Sequence, residues 1–317
     1  MSTVNVRVAA IEQVTPLVKH FTLVREDGQA FPPFSGGSHV VVAMDIGGRI
    51  HRNAYSLMGA PDDTQAYHIS VRRQERSRGG SAYMHDNVAE GSVLQITMPV
   101  NLFQLIRMGR KHVLIAGGIG ITPFMSQLHD LKRNGFEYEL HYAFRSPEHG
   151  AFSAQLKSEC GERAHFYIDS LGQQLDIPAV LSRQPLGTHV YVCGPAPMVN
   201  AVLEAARELG WPENHVHSEQ FTAPPMGDAF KVQLAKSNME VEVTADMTLL
   251  EALETAGVGP DSLCRGGACG RCELDVLELD GEIFHHDHYL SDAEKSSGKK
   301  ILPCVSRARC THMLLDI

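Results

Sequence analysis

The chain lacks any apolar run near the eighteen or so residues that a membrane-spanning helix needs. Its first residues, Met1-Ser2-Thr3-Val4-Asn5, show no basic segment followed by an apolar stretch, the mark of a secretory signal. Both absences predict a cytoplasmic protein with no membrane partner. Excess positive charge is missing too: 28 Lys and Arg face 37 Asp and Glu, a net charge of −9, which argues against nucleic acid as a partner. No internal repeat or low-complexity tract is present. Cysteine is scarce, seven in 317 residues, and in a reducing cytosol these are poor evidence for disulfides. Four of the seven gather near the C-terminus, where they read better as metal ligands.

What is present is enough for more than one core. At 317 residues and roughly 100 to 200 residues per domain, two or three domains are expected. Short alternating runs fill the first hundred residues: Val4 to Val8, Phe21 to Leu23, His39 to Val42, His68 to Val71 and Leu94 to Ile96. Turn-forming residues separate them, which predicts an antiparallel barrel or sandwich. From His112 the pattern changes. Continuous apolar strands at Val113–Ala116 and Val190–Val192 alternate with helical spacings, Phe124, Leu128 and Leu131, then Met198, Val202, Leu203 and Leu209. Gly135 and Gly210 fall where those helices should stop, and the alternation implies a parallel sheet covered on both faces. Residues 222–228 read as a linker. Beyond them come strand-like runs around Val232 and Val241 and a helix opened by the capping-box pattern Thr248 to Glu251. This last part carries 15 acidic and nine basic side chains between Phe230 and Ile317, a balance of −6.

The most specific motif is Cys264-Arg265-Gly266-Gly267-Ala268-Cys269-Gly270-Arg271-Cys272, followed at a distance by Cys304. A C-x4-C-x2-C run with a remote fourth cysteine is the plant-type ferredoxin spacing. Small residues between the thiolates let the backbone wrap a cluster and aim N–H groups at its sulfurs. Structural zinc is the rival, but zinc sites usually pair their cysteines in two short hairpins. Cys160 and Cys310 read as ordinary buried thiols, and the run His285-His286-Asp287-His288 as a solvated loop.

Two glycine turns suggest nucleotide binding. In Ala116-Gly117-Gly118-Ile119-Gly120-Ile121-Thr122-Pro123, Gly118 and Gly120 would let the backbone approach a pyrophosphate at a helix N-terminus. Thr122 is expected to cap that helix, with Pro123 in its first turn. The usual third glycine is missing, and glycine turns also serve plain packing. A second turn, Cys193-Gly194-Pro195 with Met198, follows a later strand and should lie at the same carboxyl edge. In the barrel region, Arg52, Asn53, Tyr55 and Ser56 lie on one extended segment, where Tyr55 could meet a flat heteroaromatic ring and Arg52 a phosphate. Arg78, Gly79, Gly80 and Ser81 precede a helical segment in an anion-binding arrangement; Arg72, Arg73 and Arg76 also read as a solvated basic face.

Taken together these motifs resemble the phthalate dioxygenase reductase family, and the resemblance runs the whole length of the chain. It implies an FMN-binding antiparallel β-barrel over 1–107, an α/β parallel-sheet nucleotide domain over 108–222, a linker over 223–229, and an α+β β-grasp ferredoxin domain over 230–317. Around Asn53 to Met58 and Ser153 to Leu156 the wording is similar to reductases of carnitine-oxygenase type. Carried over, the family implies that Tyr55 and Ser56 hold the flavin ring, with the Ser56 hydroxyl near flavin N5, and that Gly79, Gly80 and Ser81 form the phosphate turn. Val71, Arg72 and Arg78 join the flavin side. Thr122, Arg145 and the Cys193 turn match the nucleotide side, and Phe221 matches an aromatic ending that domain against the flavin. The family's arginine commonly stands two residues before the tyrosine; here that place is Asn53, with Arg52 one earlier.

The resemblance further implies electron transfer from NADH, rather than NADPH, through FMN and a 2Fe–2S cluster held by Cys264, Cys269, Cys272 and Cys304. The implied acceptor is a Rieske-type oxygenase and the implied state a monomer. Alternatives are a free-standing NAD(P)H:acceptor reductase and a flavin and iron–sulfur redox sensor.

Overall fold

The computed structural model describes residues 2–74, 78–221 and 225–317. By compactness they fall into two units. The first holds the parallel sheet and, apart from His51–Ala54, the seven-stranded sheet; the second holds 225–317 together with His51–Ala54 and Arg78.

The first sheet is built from β1 (Thr3–Thr15), β2 (Val18–Arg25), β3 (Ser38–Ile46), β4 (Arg49–Ser56), β5 (Tyr67–Arg72), β6 (Val93–Thr97) and β7 (Val100–Asn101), with α1 (Gly80–Asp86) between β5 and β6. Its strand order is β4-β3-β6-β1-β2-β5, with β7 on β3. Period-2 alternation sends Val6, Val8, Phe21, Leu23, Val40, Val42, Ile69 and Val71 into one core. Just past β4, Met58 N–H donates to the His68 carbonyl of β5 at 2.9 Å. The two edge segments thus meet and the sheet closes toward a barrel.

The second sheet is parallel throughout: β8 (Lys111–Gly117), β9 (Glu137–Phe144), β10 (Ala164–Ile168), β11 (Thr188–Cys193) and β12 (Val216–Glu219), in the order β10-β9-β8-β11-β12. Helices α2 (Thr122–Arg133), α3 (Ser153–Cys160), α4 (Ile177–Ser182) and α5 (Ala196–Glu208) connect its strands. One face, with Leu114, Leu140 and Tyr142, packs on Phe124, Leu128 and Leu131 of α2 and Leu156 of α3. The other, with Val113, Ile115, Val190 and Val192, packs on Val180 of α4 and on Val199 and Val202 of α5. Both predicted stops are real. Gly135 and Gly210 sit at φ +68° and +72°, and each is followed by a residue whose N–H reaches back into the helix, Phe136 to the Leu131 carbonyl at 3.0 Å and Trp211 to that of Ala206 at 2.9 Å. These are Schellman endings, for which glycine has the needed freedom. The apolar face expected on α5 differs: Leu203 and Leu209 are exposed, and Ala205 and Ala206 are buried instead.

Barrel and parallel sheet are joined by backbone. Gly36 N–H donates to Asp130 Oδ2 at 2.8 Å and Gly37 N–H to Ser126 Oγ at 3.1 Å, while Gln127 Nε2 donates to the Phe103 carbonyl at 2.6 Å.

The second unit contains β13 (Phe230–Leu234), β14 (Met239–Val243), α6 (Leu249–Thr255), β15 (Leu274–Phe284), α7 (Asp292–Ser297), β16 (Lys300–Ile301) and β17 (Arg307–Leu315). Its order is β14-β13-β17-β15-β16, with β13 parallel to β17 and the other pairs antiparallel. Leu249, Ala252 and Leu253 of α6 cover the sheet, the β-grasp arrangement. The capping box is present: Glu251 N–H donates to Thr248 Oγ1 at 3.0 Å and Thr248 N–H to Glu251 Oε2 at 2.9 Å. No helix among the described residues is long and apolar enough to cross a membrane.

Candidate functional site

The cysteine loop departs from α6 and runs 264–272 in turns and bends. Cys272 and Cys304 are buried at 2% exposure and Cys264 and Cys269 are half-buried. A small apolar cluster of Leu250, Leu290, Leu302 and Val305 surrounds the buried pair. Cys264 interacts with Cys269, and Cys272 with Cys304. The N–H groups of Gly266 and Ala268 both donate to Cys264 Sγ at 3.4 Å. Its thiol is brought down to about 5, first by the Cys269 side chain and then by these backbone donors. Four thiols with amides aimed at sulfur, in a pocket half open to solvent, suit an anionic thiolate cluster. Arg265 stands at φ +52° and its guanidinium is held by Glu254 of α6, Nη1 to Oε1 and Nη2 to Oε2 at 2.7 Å each.

The neighbouring histidine run is a loop with His286 and His288 exposed, as expected, but its other two members depart from that reading. Asp287 is fully buried, not solvated, and the His285 side chain is only 9% exposed. Asp287 accepts from Leu290 N–H at 2.9 Å and Ser306 Oγ at 3.3 Å, and the His288 N–H bonds the Gly267 carbonyl at 3.0 Å. The segment forms the back wall of the cysteine loop. An Asp bordered by histidines carries no local sign of such a role, because its burial depends on Ser306, 19 residues away, and on the cysteine loop packed against it.

At the carboxyl edge of the parallel sheet the two glycine turns lie side by side, since Cys193 of β11 is paired with Ala116 of β8. A Cβ on Gly120 would lie 2.2 Å from the Cys193 carbonyl oxygen, and one on Gly117 2.6 Å from Pro195 Cδ and 2.9 Å from Met198 Sδ. Gly120 is therefore needed for turn-to-turn packing, a different reason from the one expected. Gly118, at φ +53° with open space around its Cα, is the position that keeps backbone accessible. A Cβ on Gly194 would lie 3.1 Å from the Gly117 backbone. The capping role expected of Thr122 is not seen: a 3-10 turn over Gly118–Ile121 winds directly into α2, so Thr122 is already helical and its hydroxyl donates backward to the Ile119 carbonyl at 3.0 Å. Cys193 is fully buried, and burial followed by the Glu219 charge pushes its thiol well up. Arg145 is exposed beyond β9, its carbonyl held by Ser170 N–H at 2.8 Å, and Phe221 is exposed just after β12.

On the barrel, Ser56 ends β4 at 4% exposure with no hydrogen-bond partner for its hydroxyl among the described residues. A buried orphan hydroxyl costs about 1–3 kcal/mol, so this one fits a flavin atom that would engage it. Tyr55 and Asn53 are half-buried neighbours on the same strand. Gly79 takes φ +102° immediately before α1, and the buried Ser81 accepts from Gln74 N–H at 3.2 Å. Val71 is buried and Arg72 exposed. The two arginines expected near a phosphate are engaged by carboxylates of α6: Arg52 Nη1 lies 3.2 Å from Glu254 Oε2, and Arg78 pairs with Glu251 while its Nε donates to the Asp246 carbonyl at 2.9 Å. Arg73, read as solvated, forms an exposed pair with Asp86; Arg76 lies outside the described residues.

Comparison with known proteins agrees with this geometry. Residues 232–309, which contain all four cysteines, match the 2Fe-2S iron-sulfur cluster binding domain, and residues 98–216 match the dimethylamine monooxygenase subunit DmmA-like N-terminal domain. Along 98% of its length, and 96% of the relative's, the chain is 49% identical to a carnitine monooxygenase reductase subunit of Acinetobacter baumannii. A solved phthalate dioxygenase reductase, described as a modular structure for electron transfer from pyridine nucleotides to a 2Fe-2S centre, superposes with a TM-score of 0.89 at 32% identity, covering 100% of this chain and 98% of that one. The chain belongs to the phthalate dioxygenase reductase family. As a member it is an iron–sulfur flavoprotein oxidoreductase that uses FMN, NADH and a 2Fe–2S cluster for electron transfer. A further family relative, 43% identical with both chains fully covered, is the heme-dependent oxidative N-demethylase beta subunit of Ectopseudomonas mendocina.

Proposed function

We propose that this reductase supplies electrons to a Rieske-type oxygenase acting on a carnitine-like quaternary amine, as a cytoplasmic monomer. The observation that carries the reading is the 49% identity, sustained over 98% of the chain, to a carnitine monooxygenase reductase subunit. When bound, FMN supplies the chemistry that converts a hydride from NADH into single electrons for the cluster.

The chain's own residues have positioning roles. Tyr55 packs on the flavin ring and Ser56 offers its hydroxyl to N5. Gly79, Gly80 and Ser81 supply phosphate-binding amides, with Val71 and Arg72 alongside. Gly118 and Thr122 with the Cys193-Gly194-Pro195 turn and Met198 seat the nucleotide, Arg145 lies toward its ribose, and Phe221 covers the flavin. Cys264, Cys269, Cys272 and Cys304 ligate the cluster. The acidic balance of residues 230–317 favours a basic docking patch on the oxygenase, so association should weaken as salt rises.

The test is reconstitution. The holoprotein, NADH and the oxygenase component of the Acinetobacter baumannii system should oxidise carnitine with NADH consumed in step, at a rate that falls with ionic strength. The identity to the heme-dependent N-demethylase subunit supports a second reading, in which the acceptor is a heme oxygenase. Turnover with that catalytic subunit and none with the Rieske component would favour it and overturn the first.

A further inference from the structure

The middle of the parallel sheet carries a cluster that electron transfer does not use. His141 of β9 and His165 of β10 are direct partners in the parallel ladder, so their side chains leave the same face, as does that of Glu139 two residues before His141. Glu139, His141 and His165 each offer one ligand atom, and the three atoms lie within 4.8 Å of one another. The two imidazoles stack with centroids 4.9 Å apart. His141 is fully buried; its Nδ1 lies 2.9 Å from Tyr167 Oη, and its Nε2 has no hydrogen-bond partner. In the tautomer whose Nδ1–H donates to Tyr167, Nε2 is free to ligate a metal, and it lies 3.4 Å from Glu139 Oε1.

Imidazole and carboxylate together suit borderline divalent metals, zinc foremost, and a set of three protein ligands leaves a position for water. We propose that Glu139, His141 and His165 form a zinc-binding site, with Tyr167 as the outer partner that fixes the His141 tautomer. Lys111 Nζ occupies Oε2 of Glu139 at 3.3 Å, and Gln184 Nε2 donates to Oε1, which keeps a second lone pair for the metal. Positive charge from Lys111 and Arg183 near His165 makes the affinity lower than that of an all-protein zinc cage. Glu139 and His141 are level with Val113 and Ile115, four and two residues before Gly117 on β8, which places the site roughly 7 to 13 Å along the strands from the nucleotide turns. Its role is to tie β10, the outermost strand, to β9, raising stability by mass action.

The test uses the full chain loaded with flavin and cluster. Calorimetric titration with zinc chloride should show one zinc per chain, and zinc should raise the melting temperature, with NADH oxidation unchanged. Glu139→Gln and His165→Ala, which spare the buried His141, should weaken that event by on the order of 100-fold or more, and Tyr167→Phe by roughly 10- to 100-fold. His312→Ala, on an exposed histidine of β17, should leave it intact. Absence of a stoichiometric event, its survival in both Glu139→Gln and His165→Ala, or uptake accompanied by loss of cluster absorbance would each overturn the proposal, the last by assigning the zinc to the thiolates.

Discussion

Glu254 and Arg265 lock α6 to the cysteine loop through two parallel hydrogen bonds of 2.7 Å. The Arg265 side chain is only 9% exposed, so removing its partner strands a buried guanidinium. Glu254→Ala should cost up to roughly 3 kcal/mol and lower iron and sulfide per chain, measured together with the urea midpoint for cluster bleaching. Arg265→Gly should be milder, because φ +52° suits glycine and no charge is left unpaired. Equal losses in the two variants would contradict the pairing argument.

Adjacent glycines in that loop should respond differently to the same substitution. A Cβ on Gly267, at φ +76°, would lie 2.7 Å from Val305 Cγ2 and 3.0 Å from Asp287 Cα, whereas one on Gly266 meets nothing closer than 3.7 Å. Asp287 cannot yield easily, since its buried carboxylate is bonded to Leu290 and Ser306. Gly267→Ala should therefore lose most of the cluster and Gly266→Ala retain it, by visible absorbance and iron assay of the purified chains.

The Ser56 hydroxyl is buried without a partner among the described residues, so Ser56→Ala breaks no bond seen in the structure and the melting temperature should hold. If the hydroxyl serves the flavin, reduction by NADH in stopped flow should slow by roughly 10- to 100-fold, the equivalent of one hydrogen bond of about 1.4 to 3 kcal/mol. Unchanged reduction would remove Ser56 from the flavin site.

How much of this was readable in the sequence depended on the range of the interactions. The cysteine spacing, the Thr248–Glu251 capping box and the stops at Gly135 and Gly210 are set by neighbours a few residues apart, and each is present. The α5 face was misread because Leu203 and Leu209 are apolar yet exposed, while the close approach to β11 and β12 selects Ala205 and Ala206. Thr122 looked like a cap because its type fits one; the 3-10 turn ahead of it left no extended cap position. Asp287 and the Glu139, His141 and His165 group depend on strands and loops meeting in space, which no local pattern encodes.

Acid should destabilise the first unit well before its carboxylates titrate. His39, His112 and His217 are held at about 4, chiefly by burial, against an ordinary 6.5; His189 adds repulsion at His112 and His217. Below 6.5 the unfolded chain takes up protons that the folded chain refuses, so stability falls as pH drops from about 6.5 toward about 4, at up to roughly 1.4 kcal/mol per pH unit for each such group. Between about pH 7.5 and about pH 5.5 ordinary carboxylates stay ionised in both states, so the loss there belongs to histidine. The single tryptophan, Trp211, packs beside α5 and reports this unit selectively. Urea midpoints followed by Trp211 fluorescence should drop over that interval, and the drop should be smaller in His39→Phe, which removes a titrating ring that has no hydrogen-bond partner. A flat profile, or one as steep in the variant as in the parent, would show that these rings gain protons in the folded state.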